Sequence, residues 1–293
     1  MSLSGTLLEA MTSDQLRLHG YWQVADPSRP PGQRLWLMVH GVAGNFYGSS
    51  LLQALADGLL QRGEDVLRIN TRGHDPVAYI PSGQGRVRVG AAYEMIADAH
   101  LDLLAWVERA RALGYQQVGL LGHSLGAIKV GHFASLPTEL PPLAFTICVS
   151  PPRLNHRILQ ADERYAATFH EQYQEAKERM QQGKPEALMT IRYPQPMLIS
   201  AATFLDKYGG DTHDYFGWAE RIRNPCLWTF GELEVLGQRP SFRGCDAALR
   251  QALSASSNHR VATLASADHS YNQGRGELVK LIQWWIDSTD PPV

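Results

Sequence analysis

Residues 117–135 read QVGLLGHSLGAIKVGHFAS, and the order of patterns in this stretch decides the fold. An apolar run at 117–121, typical of a buried strand, leads straight into Gly122-His123-Ser124-Leu125-Gly126, and a helical pattern follows over 125–135. Glycines two residues either side of the serine fit a sharp, strained turn, because side chains there would collide. Such a turn holds the serine hydroxyl clear of the backbone at the end of a strand. The stretch predicts a nucleophilic Ser124; the plainer alternative is a tight strand–helix turn with a capping serine.

Short apolar runs alternate with helical patterns along most of the chain. Strands are predicted at 35–39, 65–70, 117–121, 143–149, 226–230 and 260–264, and helices at 46–62, 91–113, 125–135 and 277–286. Two alternating stretches at 6–11 and 15–24 predict an antiparallel hairpin ahead of them. This order is typical of the α/β class, in which a mostly parallel sheet is covered by helices on both faces.

One segment departs from this alternation. From Pro151 to about Arg223 the chain shows amphipathic helical stretches and no clear core strand. We therefore expect a core domain at 1–151 and 223–293, with a cap or lid insertion at 152–222. Ligands of open α/β sheets bind at the carboxyl ends of the strands, where such an insertion would roof the site. The alternative is that residues 152–222 form a helical connection that packs beside the sheet and does not cover the site.

A substrate pocket is expected beneath this insertion. Its aromatic residues Phe204, Tyr208 and Tyr215 are candidates for an apolar lining, together with Asn45 from the loop after the first parallel strand. Aromatic residues in helical segments often belong to the core instead, and Asn45 could cap the helix that follows it.

A nucleophilic serine needs donors for the negative charge that forms on the attacked carbonyl oxygen. One is expected to be the backbone N–H of Leu125, directly after the nucleophile. The other is expected from the loop His40-Gly41-Val42-Ala43-Gly44, whose glycines would let the N–H of Val42 point at the site. His40 is interpreted as a structural residue that hydrogen-bonds this loop.

The general base and its carboxylate follow from position along the chain. Of the 11 histidines, only His269 follows the last predicted strand and precedes the last helix. The carboxylate should follow a late strand, in the order Ser, acid, His. Glu234 is the favoured choice and Glu232 the first alternative. The acidic residues at 206, 211, 214 and 246 are the remaining candidates. Asp268 adjoins the histidine and is expected to point elsewhere.

Taken together, these motifs resemble the α/β-hydrolase superfamily, and they run in the family's order over nearly the whole chain. The resemblance is carried by HGVAG at 40–44, NTRGH at 70–74, GHSLG at 122–126, GELE at 231–234 and Asp268-His269. It implies an eight-stranded, mostly parallel sheet with a cap inserted after the sixth strand. The sequence departs from the family at Glu234, where most relatives carry Asp.

A second, shorter resemblance is to relatives of fungal siderophore-ester hydrolases. It is carried by SAATFLDKYGGDTHDYF at 200–216 and HGVAGNFY at 40–47.

The chemistry implied is hydrolysis of a carboxylic ester without a cofactor or metal, since the histidine is the base and backbone N–H groups are the electrophile. A thioesterase, an amidase or peptidase, and a carbon–carbon bond hydrolase would use the same residues. From other classes, a small-molecule receptor that retains the triad, or an inactive scaffold, remains open. The presence of both the serine and the histidine argues against a receptor and against an inactive scaffold.

Composition restricts the partners. The chain has 293 residues, 44% of them hydrophobic, and a formal net charge of −2, which gives no reason to expect nucleic acid. No run reaches the length of a membrane span, no secretory signal is apparent, and the three cysteines are too scattered for a disulfide framework. We expect a cytoplasmic protein that acts on a small-molecule ester or related acyl substrate, with a homodimer as the alternative to a monomer.

Overall fold

The computed structural model describes residues 5–28, 34–83, 85–137 and 143–289. The strands are β1 (Thr6–Met11), β2 (Arg17–Gln23), β3 (Arg34–Val39), β4 (Asp65–Ile69), β5 (Ala78–Ser82), β6 (Gly85–Val89), β7 (Gln117–His123), β8 (Leu143–Val149), β9 (Leu188–Ile191), β10 (Met197–Ser200), β11 (Cys226–Gly231) and β12 (His259–Leu264). The helices are α1 (Ser50–Gln61), α2 (Ala99–Ala112), α3 (Leu125–Ser135), α4 (His156–Gln160), α5 (Ala166–Gln181), α6 (Ala201–Tyr208), α7 (Glu232–Val235), α8 (Cys245–Ala252) and α9 (Arg275–Thr289). No helix of the described residues is long and apolar enough to span a membrane.

Eight strands form one sheet in the order β1-β2-β4-β3-β7-β8-β11-β12. The pairs β1–β2 and β2–β4 are antiparallel, and all the other pairs are parallel. Strands β3, β4 and β7 lie in the middle of this sheet, and nearly all of their residues are buried, as expected for strands covered on both faces. The predicted α/β class and the eight-stranded, mostly parallel sheet are confirmed.

Two hairpins were not predicted from the sequence. Strands β5 and β6 form one, and β9 and β10 form the other, each outside the main sheet. Four of the five residues of β6 are exposed, so this strand has no buried face that could produce an alternating pattern. The predicted helix at 91–113 is also shorter in the structure, because α2 begins only at Ala99, after a 3₁₀ turn at Ile96–Asp98.

The chain leaves the sheet after β8, its sixth strand in chain order, and returns at β11. Between them, residues 152–222 form α4, α5, the hairpin β9–β10, α6 and two 3₁₀ turns, and they add no described strand to the main sheet. Helices α5 and α6 pack against each other through Phe169 and Phe204, whose ring centroids lie 6.1 Å apart. These rings belong to the same buried apolar cluster as residues of the main sheet, such as Leu37 and Leu120.

Candidate active site

Ser124 lies between β7 and α3 in a backbone conformation that L-residues rarely adopt, with φ 56° and ψ −123°. Its N–H donates to the carbonyl oxygen of Val149 in the neighbouring strand at 2.8 Å. A Cβ on Gly122 would lie 2.2 Å from the carbonyl oxygen of Gly126, and one on Gly126 would lie 2.4 Å from that of Val39. Both glycines are therefore required by this turn, for the steric reason inferred from the sequence.

The side chains of Ser124, His269 and Glu234 form one continuous hydrogen-bonded chain. The Oγ of Ser124 lies 3.0 Å from Nε2 of His269, and Nδ1 of His269 lies 2.7 Å from Oε2 of Glu234. A carboxylate can only accept, so Nδ1 carries the proton and Nε2 is left to accept from the serine hydroxyl. The arrangement directs the lone pair of Nε2 toward the serine hydroxyl.

Glu234 is held in place by groups that bind the carboxylate oxygen facing away from His269. Its Oε1 accepts from the N–H of Gly231 at 2.8 Å and from the hydroxyl of Ser150 at 2.5 Å. The Ser150 hydroxyl lies 3.0 Å from that of Tyr271, which in turn lies 3.1 Å from Oγ1 of Thr229. With 9% of its surface exposed, Glu234 is fixed in rotamer as well as in position.

The alternative acids have other partners. Glu232 accepts from the N–H of Ser266 at 2.8 Å. The four aspartates considered as alternatives pair with residues other than His269: Asp206 with Ile96 and His213, Asp211 with His156 and Arg157, Asp214 with Arg153 and Asn155, and Asp246 with Thr263. Asp268 binds the N–H groups of Ser270 and Asn272. Of the described carboxylates, Glu234 is the one that contacts His269.

The loop expected to supply an oxyanion donor closely approaches the serine. A Cβ on Gly41 would lie 3.2 Å from Cβ of Ser124, so the loop backbone lies against the nucleophile. Val42 and Leu125 both line the cavity in front of Ser124. Within the described ranges, neither of their N–H groups has a hydrogen-bond partner, which leaves both free to bind a ligand oxygen.

His40 holds the base of this loop. Its Nδ1–H donates to the carbonyl oxygen of Gly41 at 2.8 Å, and its Nε2 accepts from the N–H of Thr71 at 3.3 Å. Burial, reinforced by the nearby Lys129 ammonium, lowers the pKa of His40 to about 3. The ring is therefore neutral at any working pH, in agreement with the structural role inferred for it.

Beneath this loop lies a fully buried ion cluster, which sequence reasoning missed. One carboxylate oxygen of Glu94 forms an ion pair with the ammonium of Lys129. The other oxygen lies 3.5 Å from the ammonium nitrogen of Lys207. Lys129 also donates to the hydroxyl of Thr71 at 2.9 Å, and thereby reaches the residue that holds His40. Because Lys129 belongs to α3 and Lys207 to α6, the cluster joins the segment 152–222 to the core.

We expect Glu94→Gln to lower the free energy of unfolding by about 3–5 kcal/mol, because it leaves two buried ammonium groups without their counter-charge. Burial alone would raise the pKa of Glu94, but Lys129 and Lys207 outweigh it and lower the pKa from 4.5 to about 2. The stabilisation is therefore complete above pH 4.5 and is lost as pH falls toward 2. Urea unfolding of both proteins across this range measures the difference.

Glu186→Gln is the matched control for this prediction. Glu186 pairs with Arg88 at 2.5 Å, but 74% of its side chain is exposed, so its loss should cost less than about 1 kcal/mol. Equal losses for the two variants would contradict the role given to the buried cluster.

His123, which lies between Gly122 and Ser124 in the GHSLG motif, contacts His269 directly. Its Nε2–H donates to the backbone oxygen of His269 at 2.9 Å, and the two ring centroids lie 5.0 Å apart. Burial, with the His269 ring beside it, lowers the pKa of His123 to about 4. A neutral His123 thus supports the base without placing a second positive charge beside it. Its signal in the sequence was only its place in the motif.

The cavity in front of Ser124, called here the active-site cavity, lies between the core and the segment 152–222. The segment contributes Pro152, Leu154, Tyr193, Pro194, Gln195, Lys207 and Tyr208, and the loop after α7 contributes residues 239–242. Phe242 packs on the base, its ring centroid 4.9 Å from that of His269. Residues 239–242 were missed because a loop without periodicity gives no sequence signal.

Of the four residues predicted to bind substrate, only Tyr208 lines this cavity, and the expectation is corrected for the other three. Asn45 caps a turn instead, accepting from the N–H of Gly48 and donating to Asp75 at 2.7 Å. Phe204 and Tyr215 are fully buried. Their rings pack against other aromatic rings, as is usual for apolar positions of a packed segment.

Comparisons with known proteins agree with this architecture. The sequence model of a family described as alpha/beta hydrolase fold matches residues 36–184. No protein of curated function matches the chain in sequence.

Similar solved structures include a siderophore hydrolase, an esterase and a protein that binds ferulic acid. The siderophore hydrolase EstB from Aspergillus fumigatus is 16% identical, with a TM-score of 0.67 over 99% of both chains. Est1E from Butyrivibrio proteoclasticus, whose structure holds ferulic acid, is 14% identical with a TM-score of 0.69, over 96% of this chain and 98% of that one. The esterase Pf2001 from Pyrococcus furiosus is 14% identical with a TM-score of 0.64, over 98% and 92%. At these identities the likeness concerns the fold.

Proposed function

Since this chain belongs to the α/β-hydrolase fold family, we propose that it is a serine hydrolase that cleaves a carboxylic ester through an acyl-enzyme intermediate. The observation that carries the proposal is the hydrogen-bonded chain from Glu234 through His269 to Ser124, at 2.7 and 3.0 Å. The siderophore hydrolase and the esterase among the similar structures point in the same direction. The catalytic roles of the three residues are part of the proposal.

In the proposed reaction, Oγ of Ser124 attacks the ester carbonyl while Nε2 of His269 takes the hydroxyl proton. The negative charge on the carbonyl oxygen is held by the N–H groups of Val42 and Leu125, which have no other partner among the described residues. The His269 imidazolium then donates its proton to the leaving alcohol. Water, deprotonated by the same nitrogen, attacks the acyl-serine and releases the acid.

Glu234 would stabilise the imidazolium that forms between these steps and keep the proton on Nδ1. A glutamate has one methylene more than the aspartate found in most relatives. The extra bonds to Gly231 and Ser150, at 2.8 and 2.5 Å, hold this longer side chain in one conformation. The substitution is therefore compatible with the proposed role.

The segment 152–222 is proposed to be the cap of the core formed by 1–151 and 223–293. It supplies about half of the residues that line the active-site cavity, among them Leu154, Tyr193 and Tyr208. Since it lies at the carboxyl ends of the strands, it would select the substrate without taking part in the bond-breaking steps.

A fluorophosphonate probe tests the proposal directly, because it reacts only with an activated serine. We expect stoichiometric labelling of Ser124 in the wild-type protein and none in Ser124→Ala, with mass spectrometry of the labelled peptide as the readout. 4-Nitrophenyl acetate should give a burst of nitrophenolate from the wild type only. A receptor that merely retains these residues would show neither labelling nor a burst. That result would contradict the proposal.

Thioesters and amides would be attacked by the same groups, so the leaving group is decided by comparing kcat/KM for matched oxoester, thioester and amide substrates. We expect the oxoester to be preferred. A preference for either of the others would keep the serine mechanism and change the substrate class.

A further inference from the structure

We propose that the substrate is an ester that carries a carboxylate group, which is bound in the active-site cavity with Arg239 as its partner. This inference rests on the proposed serine hydrolase function and specifies its substrate class. It is carried by the charges around the cavity.

The two charged side chains that line the cavity in front of Ser124, apart from the catalytic histidine, are both cationic: Arg239 and Lys207. No aspartate or glutamate of the described residues lines it, although the chain as a whole has a formal net charge of −2. A cleft lined by one sign of charge and walled by apolar side chains concentrates ligands of the opposite sign. The cavity is thus complementary to an anion.

Arg239 has an unused guanidinium. Its side chain forms no hydrogen bond or ion pair with any residue that the structure describes. Its backbone is fixed, since its carbonyl oxygen accepts from the N–H groups of Phe242 and Arg243 at 3.0 and 2.9 Å. The adjoining loop is held from the cap side, because the N–H of Arg153 donates to the oxygen of Ser241 at 2.7 Å. A planar fork of donors on a fixed backbone suits a carboxylate.

Lys207 also lines the cavity, but its ammonium is already engaged within the protein. It lies in the buried cluster with Glu94 and Lys129, 3.5 Å from an oxygen of Glu94. It donates to the oxygen of Ala91 at 3.2 Å. Arg239 is therefore the cation of this cavity that has no side-chain partner among the described residues.

The position of the anion within the site follows from a second cavity. That cavity shares Arg239, Phe242 and His269 with the active-site cavity. Unlike the active-site cavity, it is also lined by Asp268. The Asp268 carboxylate is held by three hydrogen bonds of 2.8–3.0 Å and would repel an anion. The carboxylate of the substrate is therefore expected on the Ser124 side of Arg239.

Two matched pairs of substrates test the inference and show which part of the ester carries the charge. 4-Nitrophenyl hydrogen adipate and its methyl ester differ by a carboxylate on the acyl side, and 4-acetoxybenzoate and its methyl ester differ by one on the leaving-group side. The readout is the ratio of kcat/KM for the acid to that for its methyl ester. We expect a ratio above one in at least one pair.

Arg239→Gln should lower this ratio about tenfold, since it removes a charge-assisted hydrogen bond. Arg239→Lys should lower it less. Arg243→Gln is the matched control, because this exposed arginine lies four residues further along and lines neither cavity. A ratio at or below one in both pairs, or equal ratios in the two glutamine variants, would overturn the inference.

Calorimetric binding of monomethyl adipate and dimethyl adipate to the Ser124→Ala protein, which lacks the proposed nucleophile, gives a readout that does not depend on turnover. We expect the monoanion to bind more tightly to Ser124→Ala and to lose this advantage in the double variant Ser124→Ala, Arg239→Gln. Equal binding of the two compounds would refute the anion site even in an active enzyme. Failure of fluorophosphonate labelling would instead refute the serine hydrolase mechanism, so the two failures are distinguishable.

Discussion

Replacing His269 by Ala is expected to lower kcat for 4-nitrophenyl acetate by about a millionfold, the loss typical of removing the base of a serine triad. In the proposed mechanism His269 both removes the Ser124 proton and returns it to the leaving alcohol, and its Nε2 lies 3.0 Å from the serine Oγ. Steady-state kinetics, with the nonenzymatic rate subtracted, measures the loss.

The double variant Ser124→Ala, His269→Ala provides the stricter check. Residues that act as a unit are not additive, so the second substitution should add almost nothing to the first. Additive losses would mean that the two side chains act independently, contrary to the hydrogen bond between them. His170→Ala, an exposed histidine on α5, is the control and should keep wild-type kcat.

Glu234→Gln is expected to lower kcat by about 10⁴-fold while the fold is retained. The amide has nearly the same shape, but it cannot stabilise the imidazolium. Its NH₂ group can also face Nδ1 of His269, which favours the wrong tautomer. The measurement is kcat for the same ester, together with the circular dichroism spectrum of the variant to show that the structure is intact.

Glu232→Gln completes this experiment, because the two carboxylates are two residues apart on the same short helix. Glu232 bonds the N–H of Ser266, and its amide variant should keep kcat within a few fold. If Glu232→Gln were the slower enzyme, the assignment of the acid would have to be reversed.

The parts of the molecule that the sequence predicted are those where local pattern and local structure coincide. The strand–turn–helix around Ser124 is one, since the apolar run, the two glycines and the helical spacing all lie within 19 consecutive residues, 117–135. The placement of His269 after the last strand is another, because the order of elements restricts which histidine can reach the strand ends. The sheet followed from the same alternation of apolar runs and helices.

The parts that were missed depend on contacts between residues far apart in the chain. His123 and His269 are 146 positions apart, and Ser150 and Glu234 are 84 positions apart. Neither contact leaves a periodic trace in the sequence. Phe204 and Tyr215 were misjudged for a related reason: an aromatic residue that packs inside a segment and one that faces a cavity look the same in a linear pattern.

The buried ion pair of Lys207 and Glu94 has a consequence for how the site is reached. If the segment 152–222 were to swing away as a rigid lid, α6 would have to pull an ammonium group out of the protein interior, at about 3–5 kcal/mol. At equilibrium, only between about one molecule in 10² and one in 10⁴ would then be open. Ligands would therefore exchange mainly while this ion pair is intact, and turnover would not wait for a large hinge motion.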